Sequence, residues 1–202
     1  MTAAFSSSAG ALNTPPRLLL VVHSRTGFAD MMADELERGA HAAASEMELA
    51  LDVQRRAARD ATAQDVIDAD GYLFCCPENL AALSGEMKEF FDRCYYPAFC
   101  AENVMGGGEG EAEKGEYTEI SLLLGRPYAL AIAAGSDGTA AARQAERICQ
   151  GWRLRPVAES LVCQNGLVQT KANILSKKAA PPADMRGQLA ELGGLVAATM
   201  LL

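Results

Sequence analysis

The chain is poor in the residues that build metal and nucleophile chemistry. Only two of its 202 residues are histidines, His23 and His41, and no C-x-x-C pair accompanies them. That combination argues against a zinc site, and no metal is expected. No apolar stretch approaches the ~18 residues of a membrane span. The C-terminal run 195–202 is too short for one and reads as the end of a core-facing helix. Positive charge is scarce as well. Eighteen Lys and Arg stand against 26 Asp and Glu, a net charge of −8. Six glutamates against Lys114 place −5 of that charge in residues 101–119. Neither part carries the basic stripe of a nucleic-acid-binding surface. The first thirteen residues are rich in Ala and Ser but lack a basic start and an apolar middle, so they are not read as a secretory signal.

Half the residues are hydrophobic and 22% are charged, enough for a single sizeable core. Length and composition predict a flexible tail over 1–16 followed by one domain over 17–202. The six cysteines at 75, 76, 94, 100, 149 and 163 do not form a disulfide pattern. Cys75 and Cys76 are adjacent and would point to opposite faces of a strand. The thiols read as small core residues of a cytoplasmic protein.

Strand and helix signals alternate along the chain. Apolar runs predict strands at 18–22, 71–76, 128–134 and 157–163, and alternation predicts an edge strand at 47–53. Helical spacing predicts helices at 28–44, 63–69, 84–96, 139–151 and 184–200. Together these predict a parallel sheet between two helix layers. Residues 100–119, with three consecutive glycines at 106–108, read as an acidic insertion lying away from the ligand edge, and 169–182 as a looser connection.

In such a sheet, ligands bind beyond the carboxyl ends of the strands. After the first strand comes His23-Ser24-Arg25-Thr26-Gly27-Phe28-Ala29, running directly into a helix. Its hydroxyls, its glycine and the free N–H groups of the helix start suit a phosphate. After the third strand comes Pro77-Glu78-Asn79-Leu80, leading to Ser84 as a helix cap. After the fourth comes Gly135-Ser136-Asp137-Gly138, whose glycines allow close approach to a flat ligand. Several other readings fail on these residues. The first turn lacks both G-x-G-x-x-G and G-x-x-x-x-G-K-[ST]. A phosphorelay receiver would need an aspartate where Cys75-Cys76-Pro77 stands, and no base is placed to activate a cysteine nucleophile.

The motifs HSRTG, PENLAALSGEMKEFFDRC and AGSDGTAAARQAERI resemble the three FMN-contacting loops of flavodoxin-like proteins. They most nearly resemble those of the NAD(P)H-dependent flavin and quinone oxidoreductases of that superfamily. The resemblance implies an α/β, three-layer sandwich around a five-stranded parallel sheet in order 2-1-3-4-5. It also implies that Ser24, Arg25, Thr26, Gly27, Phe28 and Ala29 hold the FMN phosphate. Pro77, Glu78, Asn79 and Leu80 would lie against the ribityl chain and ring, and Gly135, Ser136, Asp137 and Gly138 would flank the ring. Ala29 replaces the third hydroxyl usual in the phosphate turn, a loss of about 1–2 kcal/mol for a hydrogen bond to a charged group. No aromatic between Pro77 and Gly85 is available to stack on the ring.

The flavin carries the redox chemistry, so no catalytic side chain is assigned. NADH or NADPH is the implied co-substrate, a quinone, flavin or similar small molecule the electron acceptor, and a homo-oligomer the implied assembly. A flavodoxin-type electron carrier without its own substrate, and a flavin-free binding module, are the alternatives.

Overall fold

The computed structural model describes residues 14–99, 121–168 and 170–202. The first thirteen residues and the acidic insertion, Cys100 included, lie outside that range. The sheet is built on β1 (Arg17–Val22), β2 (Asp52–Ala57), β3 (Gly71–Asn79), β4 (Ala82–Leu83), β5 (Pro127–Ala134), β6 (Arg155–Pro156) and β7 (Leu161–Gln164). Its path runs β2-β1-β3-β5-β6, with β7 also paired to β5 and every one of these pairings parallel. This is the expected 2-1-3-4-5 order with the fifth strand in two pieces. The helices are α1 (Phe28–Glu46), α2 (Ala63–Asp68), α3 (Gly85–Phe99), α4 (Thr139–Gly151), α5 (Lys171–Leu175) and α6 (Ala183–Leu201).

Strand alternation sorts the core into two layers. Leu19, Val21, Tyr72, Phe74, Cys76, Leu130 and Ile132 face the side covered by α2, α3 and α4. Leu18, Leu20, Val22, Leu73, Cys75, Ala129 and Ala131 face α1 and α6. Cys75 and Cys76 therefore do point to opposite faces, and all five described cysteines are buried free thiols. On the first side Phe74, Phe90, Phe91 and Trp152 form an aromatic cluster, with centroids 5.2–6.5 Å apart. Trp152 also donates its Nε1–H to the Tyr95 carbonyl, which satisfies its buried polar atom.

On the second side α1 and α6 touch backbone to backbone. A Cβ on Gly39 would lie 1.8 Å from the Ala190 oxygen, and one on Gly193 2.0 Å from the Leu36 oxygen. Only glycine allows that approach.

Several boundaries differ from expectation, each for a physical reason. The second strand starts only at Asp52, because the stretch after α1 is spent on closing the helix: the Met47, Glu48 and Leu49 N–H groups donate back to the Ala43, Ser45 and Ala44 carbonyls. It is half-buried throughout despite its Gln and Arg residues. Arg55 lies along the sheet edge to reach Asp30, Asp34 and Glu37. The third strand continues three residues past its apolar run, and the fifth breaks at 157–160, where Ser160 donates to Glu146.

Candidate functional site

The carboxyl ends of β1, β3 and β5 share one edge of the sheet, which brings together the three predicted loops. The first loop, His23 to Gly27, feeds α1 through Gly27, whose φ of +84° is favoured by glycine. Ser24 Oγ accepts the Gly27 N–H at 3.2 Å, so the turn folds back on itself. No side chain caps the start of α1, and its first N–H groups face the turn with the positive end of the helix dipole. Phe28 and Ala29 are buried in the α1–α6 layer. They offer only backbone N–H groups here, and the Ala29 carbonyl accepts the Cys75 thiol from below. Arg25 is exposed, while Ser24, Thr26 and Gly27 are half-buried.

The second loop is a hairpin rather than an open connection. Glu78 and Asn79 pair antiparallel with Leu83 and Ala82. The two residues between them, Leu80 and Ala81, both have positive φ, 53° and 57°. Such a two-residue turn matches strand twist but normally uses Asn or Gly, so these side chains are held there at a cost of about 1–2 kcal/mol each. Leu80 projects fully into solvent at the tip. The Leu83 N–H donates to Gln144 Oε1 on α4 at 2.9 Å, which anchors the hairpin base.

The third loop carries Gly135, Ser136 and Asp137 into Gly138, the residue before α4, whose φ is +80°. A Cβ on Gly138 would meet Val162 Cγ1 at 2.4 Å and Ala134 Cβ at 2.9 Å. Ser136 and Asp137 are exposed, and Asp137 accepts the Thr139 hydroxyl.

Side chains cross-tie these loops. The Glu78 carboxylate accepts the Gly138 N–H at 3.0 Å, joining the hairpin to the third loop. The Gly138 N–H is therefore already satisfied within the protein. His23 Nδ1 lies 2.6 Å from Ser84 Oγ, joining the end of β1 to the start of α3. Its Nε2 lies 3.5 Å from Glu86. Burial pushes the His23 pKa below the usual histidine value, with Arg25 acting in the same sense and Glu86 opposing. A neutral ring accepts the Ser84 hydroxyl at Nδ1 and turns its Nε2–H towards Glu86.

Sequence reasoning did not find the His23–Ser84 pair, Gln144 or the contact that the segment after α5, read only as a looser connection, makes with the first loop. In that segment the Lys178 N–H donates to the Thr26 carbonyl at 3.1 Å. Its one visible signal was the Lys177-Lys178 pair. Among the described residues no cluster of His, Cys, Asp or Glu is arranged to hold a metal, and no helix is long and apolar enough to cross a membrane. The groove lined by Thr14, Pro15, Arg17, Asp68 and Met200 lies at the opposite edge of the sheet.

A family model described as NADPH-dependent FMN reductase matches residues 19–166. The chain belongs to this family. The matched segment begins in β1 and ends just past β7, and so includes all three loops. Solved structures repeat the flavodoxin-like fold. A flavodoxin from the domain Archaea has a TM-score of 0.66 at 13% identity, covering 92% of this chain and 99% of its own. An oxidoreductase from Corynebacterium diphtheriae gives 0.64 at 17%, covering 93% and 97%. A flavodoxin, WrbA-like protein from Agrobacterium tumefaciens gives 0.60 at 14%, covering 92% and 98%. No curated protein matches the chain.

The residues of the first loop fit the phosphate end of FMN. The uncapped helix start, two hydroxyls, a left-handed glycine and the nearby Arg25 form a donor set without a carboxylate in the turn itself.

Proposed function

We propose that this FMN reductase family member binds FMN across the three loops and uses it to pass electrons from NADH or NADPH to a quinone, flavin or similar small acceptor. The observation that carries this reading is the uncapped start of α1 beneath Ser24, Thr26 and Gly27, on the same sheet edge as two loops tied together by Glu78. FMN, when bound, supplies hydride acceptance and the release of electrons to the acceptor. The chain's own residues bind and orient it.

Ser24, Thr26 and the N–H groups of Phe28 and Ala29 take the phosphate, with Arg25 adding charge from solvent. Pro77, Glu78, Asn79 and Leu80 form one wall of the ring site, and Gly135, Ser136 and Asp137 the other, with Gly138 holding the Glu78 tie. The backbone N–H groups of the hairpin tip are rigidly presented dipoles for the edge of the ring on which negative charge grows. No side chain is required to act as a nucleophile. We further place the protein in the cytoplasm and expect it to work as a homo-oligomer.

The test is a titration with FMN, followed by NADPH or NADH without oxygen. Saturable quenching of FMN fluorescence and bleaching of the yellow colour by either nicotinamide are expected. Absence of FMN binding refutes the reading. Binding without bleaching assigns the protein to electron carriage without a nicotinamide substrate.

A further inference from the structure

We infer that Lys177, on the segment between α5 and α6, completes the phosphate cradle and supplies the charge that compensates for the hydroxyl missing at Ala29. The inference rests on the proposed FMN site and deepens it. Residues 176–182 do not wander away from the sheet edge. The Lys178 N–H donates to the Thr26 carbonyl at 3.1 Å, fixing the segment onto the phosphate turn. Ser176 ends α5 with its hydroxyl on the Asn173 carbonyl, and the Lys178 ammonium also turns to that carbonyl. Pro181 is buried, and Pro182 leads into α6. The segment is therefore held at both ends as well as at Thr26.

Between these anchors the stem of Lys177 lies over Gly27. Its Cγ and Cε are both 3.9 Å from the point a Gly27 Cβ would occupy. That glycine is the N-cap of the helix whose uncapped N–H groups face the turn. Lys177 is exposed, with its ammonium one bond beyond Cε, and no ion pair is formed by it among the described residues.

The surrounding electrostatics make a cation useful. Asp30, in the first turn of α1, opposes an anion bound there. Arg55 lies 3.5 Å from Asp30, but its closest contact is Asp34 at 2.5 Å, so it is shared among acids rather than turned to the site. Arg59, which also acts on His23, pairs with Asp60, and the Lys178 ammonium is turned to Asn173, whereas Arg25 and Lys177 stand beside the turn with no ion pair among the described residues. A phosphate dianion held there gains a charge-assisted contact from Lys177 that riboflavin, which lacks phosphate, has no means to use.

The experiment compares FMN and riboflavin affinities, by fluorescence quenching, for wild type, Lys177→Gln, Lys177→Arg and Lys171→Gln. At low salt Lys177→Gln is expected to raise the Kd for FMN about five- to tenfold and leave riboflavin unchanged, the scale of a solvent-facing contact to a doubly charged group. The gap narrows in high salt, Lys177→Arg restores affinity, and Lys171→Gln behaves as wild type. Melting temperatures within a degree or so of wild type are expected throughout, since these side chains are exposed. An unchanged FMN Kd in Lys177→Gln overturns the inference while leaving the FMN site standing. Equal losses for FMN and riboflavin overturn it too, because they mean a packing role. A wild-type protein that binds no FMN removes both readings.

Discussion

Replacing Glu78 by alanine tests how the second and third loops are held to each other. In the native protein its half-buried carboxylate accepts the Gly138 N–H at 3.0 Å, at the very start of α4. Two contributions are lost on truncation. A hydrogen bond from a backbone N–H to a charged acceptor is worth about 1.5 kcal/mol in a partly solvated setting. A negative charge at a helix N-terminus adds about 0.5 kcal/mol. The sum of about 2 kcal/mol lowers the melting temperature of a chain of this size by about 4–8 °C.

Glu78→Gln separates the two contributions. Its amide oxygen still accepts the N–H but brings no charge, so about half of the stability is retained. Urea denaturation of the flavin-free protein measures both variants with slopes unchanged. FMN affinity should fall alongside, because the hairpin and third loop are no longer registered to each other. Stabilities of Glu78→Ala and Glu78→Gln both equal to wild type would refute the tie.

Thr26→Ala removes one of two hydroxyls from the proposed phosphate turn and keeps the carbonyl that receives Lys178. FMN binding, read by fluorescence, is expected to weaken by about 1–3 kcal/mol with little change in folding stability. Gly193→Ala puts a methyl 2.0 Å from the Leu36 carbonyl oxygen and forces α1 and α6 apart. Chemical denaturation should show a loss of about 1–3 kcal/mol or more. His23 is held below the usual histidine pKa by burial, so the unfolded chain takes up a proton at mildly acid pH that the folded chain refuses. Its contribution makes stability fall as pH drops through the ordinary histidine value of about 6.5, and is flat above it. Denaturation midpoints across that range should show a shallower acid slope in His23→Gln.

The sheet order was readable because buried parallel strands leave continuous apolar runs such as 18–22 and 128–134, and because glycine turns follow them in the same order. The position of the turn between β1 and α1 was readable for the same reason. What escaped depends on contacts between distant segments. Leu80-Ala81 carries no turn signature, and only the pairing of Glu78 with Leu83 bends it into a hairpin. Arg126 caps the carbonyls of Ile67 and Ala69 at 2.7 and 2.5 Å, which ends α2 without any glycine to mark the stop. The second strand was misplaced because alternation at 47–53 arises equally from a helix end and a turn. The tie from Glu78 to the Gly138 N–H escaped as well, because its two partners lie sixty residues apart.

The glycine contact between α1 and α6 has a bearing on how the molecule is made. The helix that follows the first loop is made early in the chain, yet the surface it packs against arrives with the last helix, about 150 residues later. During synthesis the first three strands can pair while α1 still lacks its permanent neighbour. The segment carrying Lys177 is the approach to that neighbour, so docking of α6 and attachment of the segment to Thr26 become one late event. On the proposed reading, a nascent chain that has emerged only as far as β7 holds all three loops but lacks the segment that carries Lys177. If FMN binds there as proposed, it should pull late-stage intermediates forward while leaving the earliest ones untouched.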